Sequence, residues 1–530
     1  MRAFASLLDS LLLTPSRNGK LVLLQDYFRA TPDPDRGWAL AALAGGLDVG
    51  AAKPAALRAL IAERMDSELF ALSYDYVGDL AETIALVWPQ RPGANRAPTL
   101  SEVVDTLQTA KRAEVPALIA RWLDALEPDA RYALIKLVTG GLRIGAGGRL
   151  AKQALADGFA KPLADIEELW HGLTPPYLDL FAWLEDRAPR PQSSAAAPFR
   201  PVMLAHALDE TDIAKLDPRD YAAEWKWDGI RVQAASVNGT RRLYSRAGED
   251  ISAAFPDVLA HLDFEGVIDG ELLVRSDSGV GAFNDLQQRL NRKTVDRKLI
   301  DKFPGFIRAY DLLFDTDADL RPMPFRARRA ALERFIAQSP SPRIDVSPLV
   351  AADTWDALAA ARASPPAPGI EGLMLKRWDS AYEQGRPKGL WWKWKRDPYT
   401  VDCVLMYAQR GHGKRSSFYS DFTFGVWAGD ALAPVGKAYF GFTDEELRLL
   451  DKFVRDNTTE RFGPVRAVTA TRDSGLVLEI AFEGLARSTR HRSGLAMRFP
   501  RIARIRWDKP AAEADTLETL AKLLPQAGAG

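Results

Sequence analysis

The 530-residue sequence predicts a three-part chain: an all-α region, an α+β domain and a small β-barrel. Three observations carry that reading. Up to about Arg187, apolar residues recur at spacings of three and four, as in Leu155, Phe159, Leu163, Ile166 and Leu169. From 202 to 398, strand-like and helix-like stretches alternate. After Pro398 short strand patterns dominate, which suits a barrel of about five strands, the OB-fold being one such. The expected division is 1–187 helical, 188–201 linker, 202–398 α+β and 399–530 barrel.

Composition sets the outer bounds. Apolar residues make up 47% and charged residues 26%, values of a globular protein with ample chain for several cores. The single cysteine, Cys403, excludes a disulfide framework and a cysteine-built zinc site, and fits a cytoplasmic, reducing setting. Lys and Arg number 70, matching 70 Asp and Glu, so contact with nucleic acid must come from local clusters rather than bulk charge. One cluster runs from Arg487 to Lys509 and includes Arg490, Arg492, Arg498, Arg501, Arg504 and Arg506 against Asp508 alone. Met1 to Leu13 carries Asp9 inside its apolar run and reads as an amphipathic helix, not a signal peptide. No apolar run has the length of a membrane span, so no membrane partner is expected.

The elements follow in order. Thr99, with Ser101 and Glu102 after it, opens a helix as a cap. Pro162 splits the Leu155–Leu169 run into two short helices. Gly45-Gly46-Leu47-Asp48-Val49-Gly50 is echoed by Gly140-Gly141-Leu142-Arg143-Ile144-Gly145, which suggests a duplicated helical unit. The first copy reads as a helix C-cap. The second, more basic and followed by Gly147 and Gly148, suits phosphate at a helix N-terminus. Residues 187–201 are rich in Pro and Ala without periodicity and read as a linker. Val267–Val274 is a strand pair in outline, Phe306–Phe314 a strand, Arg326–Ile336 a helix, and 365–369 a loop before Leu373–Lys376. In the barrel, strands are expected at Val401–Tyr407, Phe422–Trp427, Ala438–Phe440 and Leu476–Phe482, with a helix at Asp444–Asn457. Ala511–Gly530 reads as a short helix and a frayed tail.

The chemistry centres on Glu224-Trp225-Lys226-Trp227-Asp228-Gly229-Ile230-Arg231, a short strand ending in a turn at Gly229. Strand alternation puts Glu224, Lys226 and Asp228 on one face and the two tryptophans on the other. A lysine among acids and aromatics is a nucleophile once it sheds its proton. Starting from an ordinary lysine, that costs roughly 4–5 kcal/mol at pH 7, and burial or nearby cations lower the cost. Trp391-Trp392-Lys393-Trp394-Lys395 shows the same alternation, with Lys393 and Lys395 on one face and Trp392 and Trp394 opposite. Paired lysines of that kind stabilise charge in phosphoryl transfer. Taken singly, each stretch also fits a solvated amphipathic strand.

The order of these stretches is what resembles a family. Lys-x-Asp-Gly-x-Arg at 226–231, Tyr244-Ser245-Arg246, Asp269-Gly270-Glu271, Tyr310-Asp311, Glu371-Gly372, Trp391–Lys395 and Arg506-Trp507-Asp508-Lys509 are similar to the motifs of ATP-dependent DNA ligases, members of the covalent nucleotidyltransferases. The resemblance implies an adenylation domain over 202–398 that joins ATP to Lys226, with Mg2+ (or Mn2+) as cofactor. It implies Glu224, Arg231, Arg246, Glu271, Tyr310, Arg386, Lys393 and Lys395 as nucleotide contacts, Tyr310 stacking on adenine. Glu271 and Glu371 would hold the metal. Tyr310 stands where many relatives carry Phe, and Pro387 after Arg386 departs from the usual pair of basic residues. Arg506 and Lys509 would close over ATP for the first step. Gly-Leu-Arg-Ile-Gly at 141–145, with Arg143 and Gly145, would grip the minor groove of nicked double-stranded DNA through its phosphates. The implied enzyme is a monomer of the cytoplasm, at the nucleoid when on DNA, that seals nicks in repair, recombination or replication while its domains encircle the duplex.

Rival readings differ in testable ways. An RNA ligase or a GTP-using capping enzyme shares the core motifs but not the long helical region. An NAD-dependent ligase usually needs a four-cysteine zinc site, which one Cys cannot build. A catalytically dead duplex-binding scaffold would not need Lys226, Glu271, Glu371 and Lys393 together.

Overall fold

A computed structural model of the protein describes residues 1–524 except 48, 50, 51, 90–95, 141, 143, 144, 192–196, 277, 278, 291, 293, 368, 411–417, 489 and 490. The chain divides into two compact units. One comprises 1–166, 173–191 and 398–524; the other comprises 167–172, 192–397 and the chain end. No helix among the described residues is long and apolar enough to cross a membrane.

The first unit begins with helices from Arg2–Leu13 to Leu178–Leu184. Thr99 caps Leu100–Thr109 with a capping box completed by Glu102, as its sequence predicts. Helix Gly148–Gly158 ends before Pro162 and the next begins at Leu163, because proline cannot continue the ladder. Gly45 closes helix Asp35–Ala44 in a left-handed conformation, φ 76°. Gly140, φ 67°, follows helix Pro128–Val138 in the same way. Both copies of the glycine pattern thus begin at a helix C-terminus, and the second also leads to the N-terminus of Gly148–Gly158. Asp48, Gly50, Gly141, Arg143 and Ile144 lie outside the described residues. Gly145 is described: it has φ 66° and accepts a hydrogen bond on its carbonyl from Lys20 Nζ at 3.1 Å.

In the second unit the strands are β1 (His206–Ala207), β2 (Tyr221–Trp227), β3 (Ile230–Val237), β4 (Thr240–Ser245), β5 (Gly266–Ser276), β6 (Gly279–Val280), β7 (Gly305–Asp315), β8 (Ala318–Asp319), β9 (Ile344–Val346), β10 (Ile370–Arg377) and β11 (Trp391–Lys395). They build two sheets. One has the order β1-β11-β10-β2; the other runs β4-β3-β5-β7-β8, with β6 on β5 and β9 on β7. β5 is one continuous strand of 11 residues, not the expected strand pair. Val267, Ile268, Leu272, Leu273 and Val274 are all buried along it, so no break is needed to shelter them. Helix Phe325–Gln338 packs on β7 and covers the core of Val232, Ile268, Ile307 and Leu332.

The first unit's strand-rich part holds β12 (Tyr399–Arg410), β13 (Tyr419–Ala428), β14 (Ala431–Ala438), β15 (Thr458–Phe462), β16 (Val465–Val468), β17 (Val477–Phe482), β18 (Gly484–Arg487), β19 (Leu495–Arg498) and β20 (Arg501–Arg506). β14-β13-β12-β16-β15 form one run, and β17 joins β12 to β20. The sheet curls around Phe422, Phe424, Leu478 and Ile480, closed by helix Asp444–Asp456, in keeping with the OB-fold expectation. The strand expected at Ala438–Phe440 instead ends at Ala438; Tyr439 and Phe440 are exposed beyond it.

Candidate active site

β2, β10 and β11 place the lysines. Pairing is antiparallel, with Gly372 opposite Lys226 on one side and Lys395 on the other. The next row is Glu224, Met374 and Lys393. Directly opposed residues share a face, so Lys226, Lys395, Glu224 and Lys393 all project to the same side of this sheet. The tryptophans go to the other side as predicted: Trp225, Trp392 and Trp394 pack with Tyr221, Leu373 and Leu375. Gly229 turns β2 into β3 where a Cβ would meet the Leu272 carbonyl oxygen at 2.5 Å, so the turn excludes any side chain.

Glu371 reaches this face through an irregularity. Ile370 pairs with Trp227 and Gly372 with Lys226, which leaves Glu371 as the extra residue of a bulge. Gly372 has φ 144°, and a Cβ there would stand 2.2 Å from the Trp394 carbonyl oxygen. The bulge aims Glu371 at the lysines: Lys226 Nζ donates to Glu371 Oε2 at 2.5 Å, and Lys395 Nζ lies 3.7 Å from the same oxygen.

Glu271 comes from β5, opposite Arg231 on β3. Burial pushes its carboxyl up to about 8; Lys226 and Arg231 oppose the rise, and Glu371 and Asp269 add to it. Two carboxyl groups close enough for the charge of Glu371 to be felt at Glu271 have the chemistry that suits a divalent ion completing its shell with ligand oxygens and water. Among the described residues no group of three or more His, Cys, Asp and Glu side chains is arranged to hold a metal.

The cationic wall is Lys393 with its neighbours. Burial lowers the Lys393 pKa, and the positive charges of Arg386, Lys226, Lys395 and Arg246 lower it further. Arg246 and Arg386 are both exposed, and both are close enough for their charge to be felt at Lys393. Pro387 therefore does not remove Arg386 from this wall. Asp228, on the turn, donates its backbone N–H to the Gly369 carbonyl at 2.7 Å and tethers that turn to the start of β10.

Two predicted nucleotide contacts have protein partners. Arg231 makes a two-pronged pair with Asp269, Nε at 3.1 Å and Nη2 at 2.5 Å, and also donates to Met203 O and Tyr382 Oη. Burial works against its charge and Asp269 outweighs it. Its charge is thus matched inside the protein. Glu224 is buried between Arg329 Nη1 at 2.7 Å and Lys376 Nζ at 2.6 Å. Tyr310 lies in the same pocket, its ring 4.0 Å from Lys376 Nζ. Asp269, Arg329 and Lys376 have no role in the sequence reading. For Lys376 a signal was present, since it follows Gly372 and Met374 at the strand period of two.

Arg506 and Lys509 belong to the other unit. There Lys509 Nζ is 2.7 Å and Arg506 Nη1 3.4 Å from Asp402 Oδ2, and Arg506 also pairs with Asp508. Arg490 of the basic cluster lies outside the described residues.

Known proteins resemble this chain along most of its length. The family model described as "ATP dependent DNA ligase domain" matches residues 202–395. Those described as "ATP dependent DNA ligase C terminal region" and "DNA ligase N terminus" match 415–509 and 1–156. A probable DNA ligase of Anaeromyxobacter dehalogenans (strain 2CP-C) is 32% identical over 526 residues, 96% of this chain and 96% of that one. A probable DNA ligase of Koribacter versatilis is 33% identical over 440 residues, 77% of this chain and 74% of the relative. The DNA ligase of Natronomonas pharaonis is 30% identical, covering 84% and 83%. The solved structure of "Pmar-Lig_PreS3" shares the fold, with a TM-score of 0.61 at 16% identity over 95% of this chain and 99% of that one. The middle domain is thus of the nucleotidyltransferase class. The chain belongs to the ATP-dependent DNA ligases, enzymes that seal nicks in DNA at the expense of ATP.

Proposed function

We propose that Lys226 is the residue that carries AMP, and that the chain works as a monomer on nicked duplex DNA. The observation that carries the assignment is the meeting of Lys226 Nζ with Glu371 at 2.5 Å on a face shared with Lys393 and Lys395. In the first step the Lys226 nitrogen bonds to the α-phosphorus of ATP, the bond from that phosphorus to the β-phosphate bridging oxygen breaks, and pyrophosphate leaves as Lys226 gives up its proton. The Glu371 carboxylate is within reach of that proton. Lys393 and Lys395, with Arg246 and Arg386 nearby, meet the charge on the phosphates. Mg2+ or Mn2+, held by Glu271 and Glu371, supplies Lewis-acid neutralisation of phosphate oxygens. In the second step the 5′-phosphate of the nick takes AMP from Lys226. In the third the 3′-hydroxyl attacks that phosphate and AMP departs.

Arg506 and Lys509 serve the first step, by orienting pyrophosphate. Arg143 and Gly145, with the basic strand β20, contact DNA phosphates. Residues 1–187, 202–398 and 399–530 are the working modules, for DNA grip, adenylation and closure, and the enzyme works in the cytoplasm at the nucleoid. The test is incubation with α-labelled ATP followed by mapping of the modified peptide. Label at Lys226 is the expected result, and label at another residue refutes the assignment.

A further inference from the structure

Beneath the nucleotide site lies a lysine that the reaction does not use. Lys376 is 1% exposed. Its Nζ stands 2.6 Å from Glu224 Oε2. Three aromatic rings surround the ammonium: Tyr310 at 4.0 Å, Trp391 at 4.8 Å and Phe325 at 5.1 Å from their centroids. Glu224 is itself fixed by Arg329, which also binds Glu333 at 2.8 Å and the Ser347 carbonyl at 2.6 Å. Of the three rings, Tyr310 is the nearest to the ammonium.

A lysine in such a place is expensive unless it acts on something. Glu224 touches it and the charges of Asp311 and Asp269 support it, yet burial outweighs all three and lowers its pKa. A methionine of the same length would fill the volume without that cost. What the ammonium supplies is attraction to the negative face of an aromatic ring, which grows when water is absent. That attraction bears on the Tyr310 ring at 4.0 Å, closer than the Arg231 guanidinium, which lies 5.9 Å from the same ring and is held by Asp269.

We propose that Lys376 is a positioning residue for nucleotide binding: held by Glu224, it clamps one face of Tyr310 so that the opposite face is presented to the base. The proposal rests on the reading of Tyr310 as the ring that stacks on adenine. It separates two roles on one sheet face, with Lys226 and Lys395 acting on phosphate and Lys376 acting on the base through an aromatic intermediary.

The test uses the full-length enzyme, with rates expressed per active site titrated by single-turnover adenylation. Lys376→Met should raise KM for ATP roughly ten- to thirtyfold, the scale of one desolvated cation–π contact, while kcat for adenylation at saturating ATP stays within about threefold. Lys376→Arg should restore most of the loss. Tyr310→Leu should raise KM by itself, and adding Lys376→Met to it should change KM little further, because the lysine acts through the ring. A merely structural lysine would lower the active fraction and leave KM per active site where it was; that result, or full additivity with Tyr310→Leu, overturns the proposal. If Lys376→Met does not fold, Lys376→Gln answers the same question, since its neutral amide can still donate to Glu224 but lacks the charge, and an unchanged KM there also overturns it. Failure of the underlying reading is distinguishable: if Tyr310→Leu alone leaves KM unchanged, the ring does not meet the base at all.

Discussion

Two lysine–carboxylate pairs stand on the same sheet, made by the same strands. Lys226 meets Glu371 at 2.5 Å and Lys376 meets Glu224 at 2.6 Å. Distance does not separate them; burial does. Side chains of the first pair are 21% exposed and those of the second 2%. A partly hydrated pair exchanges partners at small cost, because water and a ligand's phosphates can take up either charge. A dry pair cannot be opened without leaving a bare charge in the core. On the proposed assignment of Lys226, the first pair opens during the reaction and the second stays closed.

The comparison is broken most severely at Lys226. Lys226→Ala should abolish labelling of the protein by α-labelled ATP, while retention of a nicked duplex in a gel-shift assay stays at the native level. Next comes Glu371→Gln, expected to slow adenylation by about two to three orders of magnitude, the usual effect of removing a preorganised charged group. Its melting temperature should stay within a few degrees of the parent. Glu224→Gln should show the reverse weighting. Breaking a buried pair costs about 3–5 kcal/mol, so its melting point should fall clearly, and by calorimetry further than that of Glu371→Gln. Equal thermal losses in the two variants would erase the distinction between them.

A smaller effect is expected with pH. Burial and the surrounding cations depress the Lys393 pKa, so its charge is lost earlier than that of an ordinary lysine as pH rises. The charged form is the one that attracts triphosphate. KM for ATP should therefore climb on the alkaline side, and Lys393→Arg, which stays charged, should flatten the climb. The smallest change is at Arg504, exposed on β20. Arg504→Ala should weaken DNA binding by a similar factor for all sequences and reduce the log–log salt slope by about one.

The sequence made the alternation legible but not its irregularities. Trp225, Trp392 and Trp394 fall on the core side of their sheet because a period of two survives wherever the strand is regular. Glu371 has the wrong parity for its site, and only a bulge, invisible in composition, brings it there. Only the last residue of β14, Ala438, falls in an expected strand, and the strand holds Pro434 and Gly436, residue types that strands disfavour. Pro434 sits opposite Gly425 just after a register shift, where a strand tolerates it. β20 was read only as a cluster of charge. Its buried Ile502 and Ile505 are three apart, because a shift at Glu479/Ile480 interrupts the pleat. The same period of two puts Lys376 on the lysine face, but nothing local distinguishes a buried lysine from an exposed one. Its depth is fixed by Phe325 and Trp391, from segments far apart in the chain.

Gly372 carries one more consequence. Between Lys226 and Lys395 the sheet bears no side chain at all, and the backbone conformation there, with the Trp394 carbonyl pressed close, forbids one. Whatever lies across that row rests on bare peptide. An engineer who wishes to change which nucleoside the enzyme accepts has no handle in that row, and must work from the next one, at Met374, or from the sides, where Tyr310 and Arg386 stand.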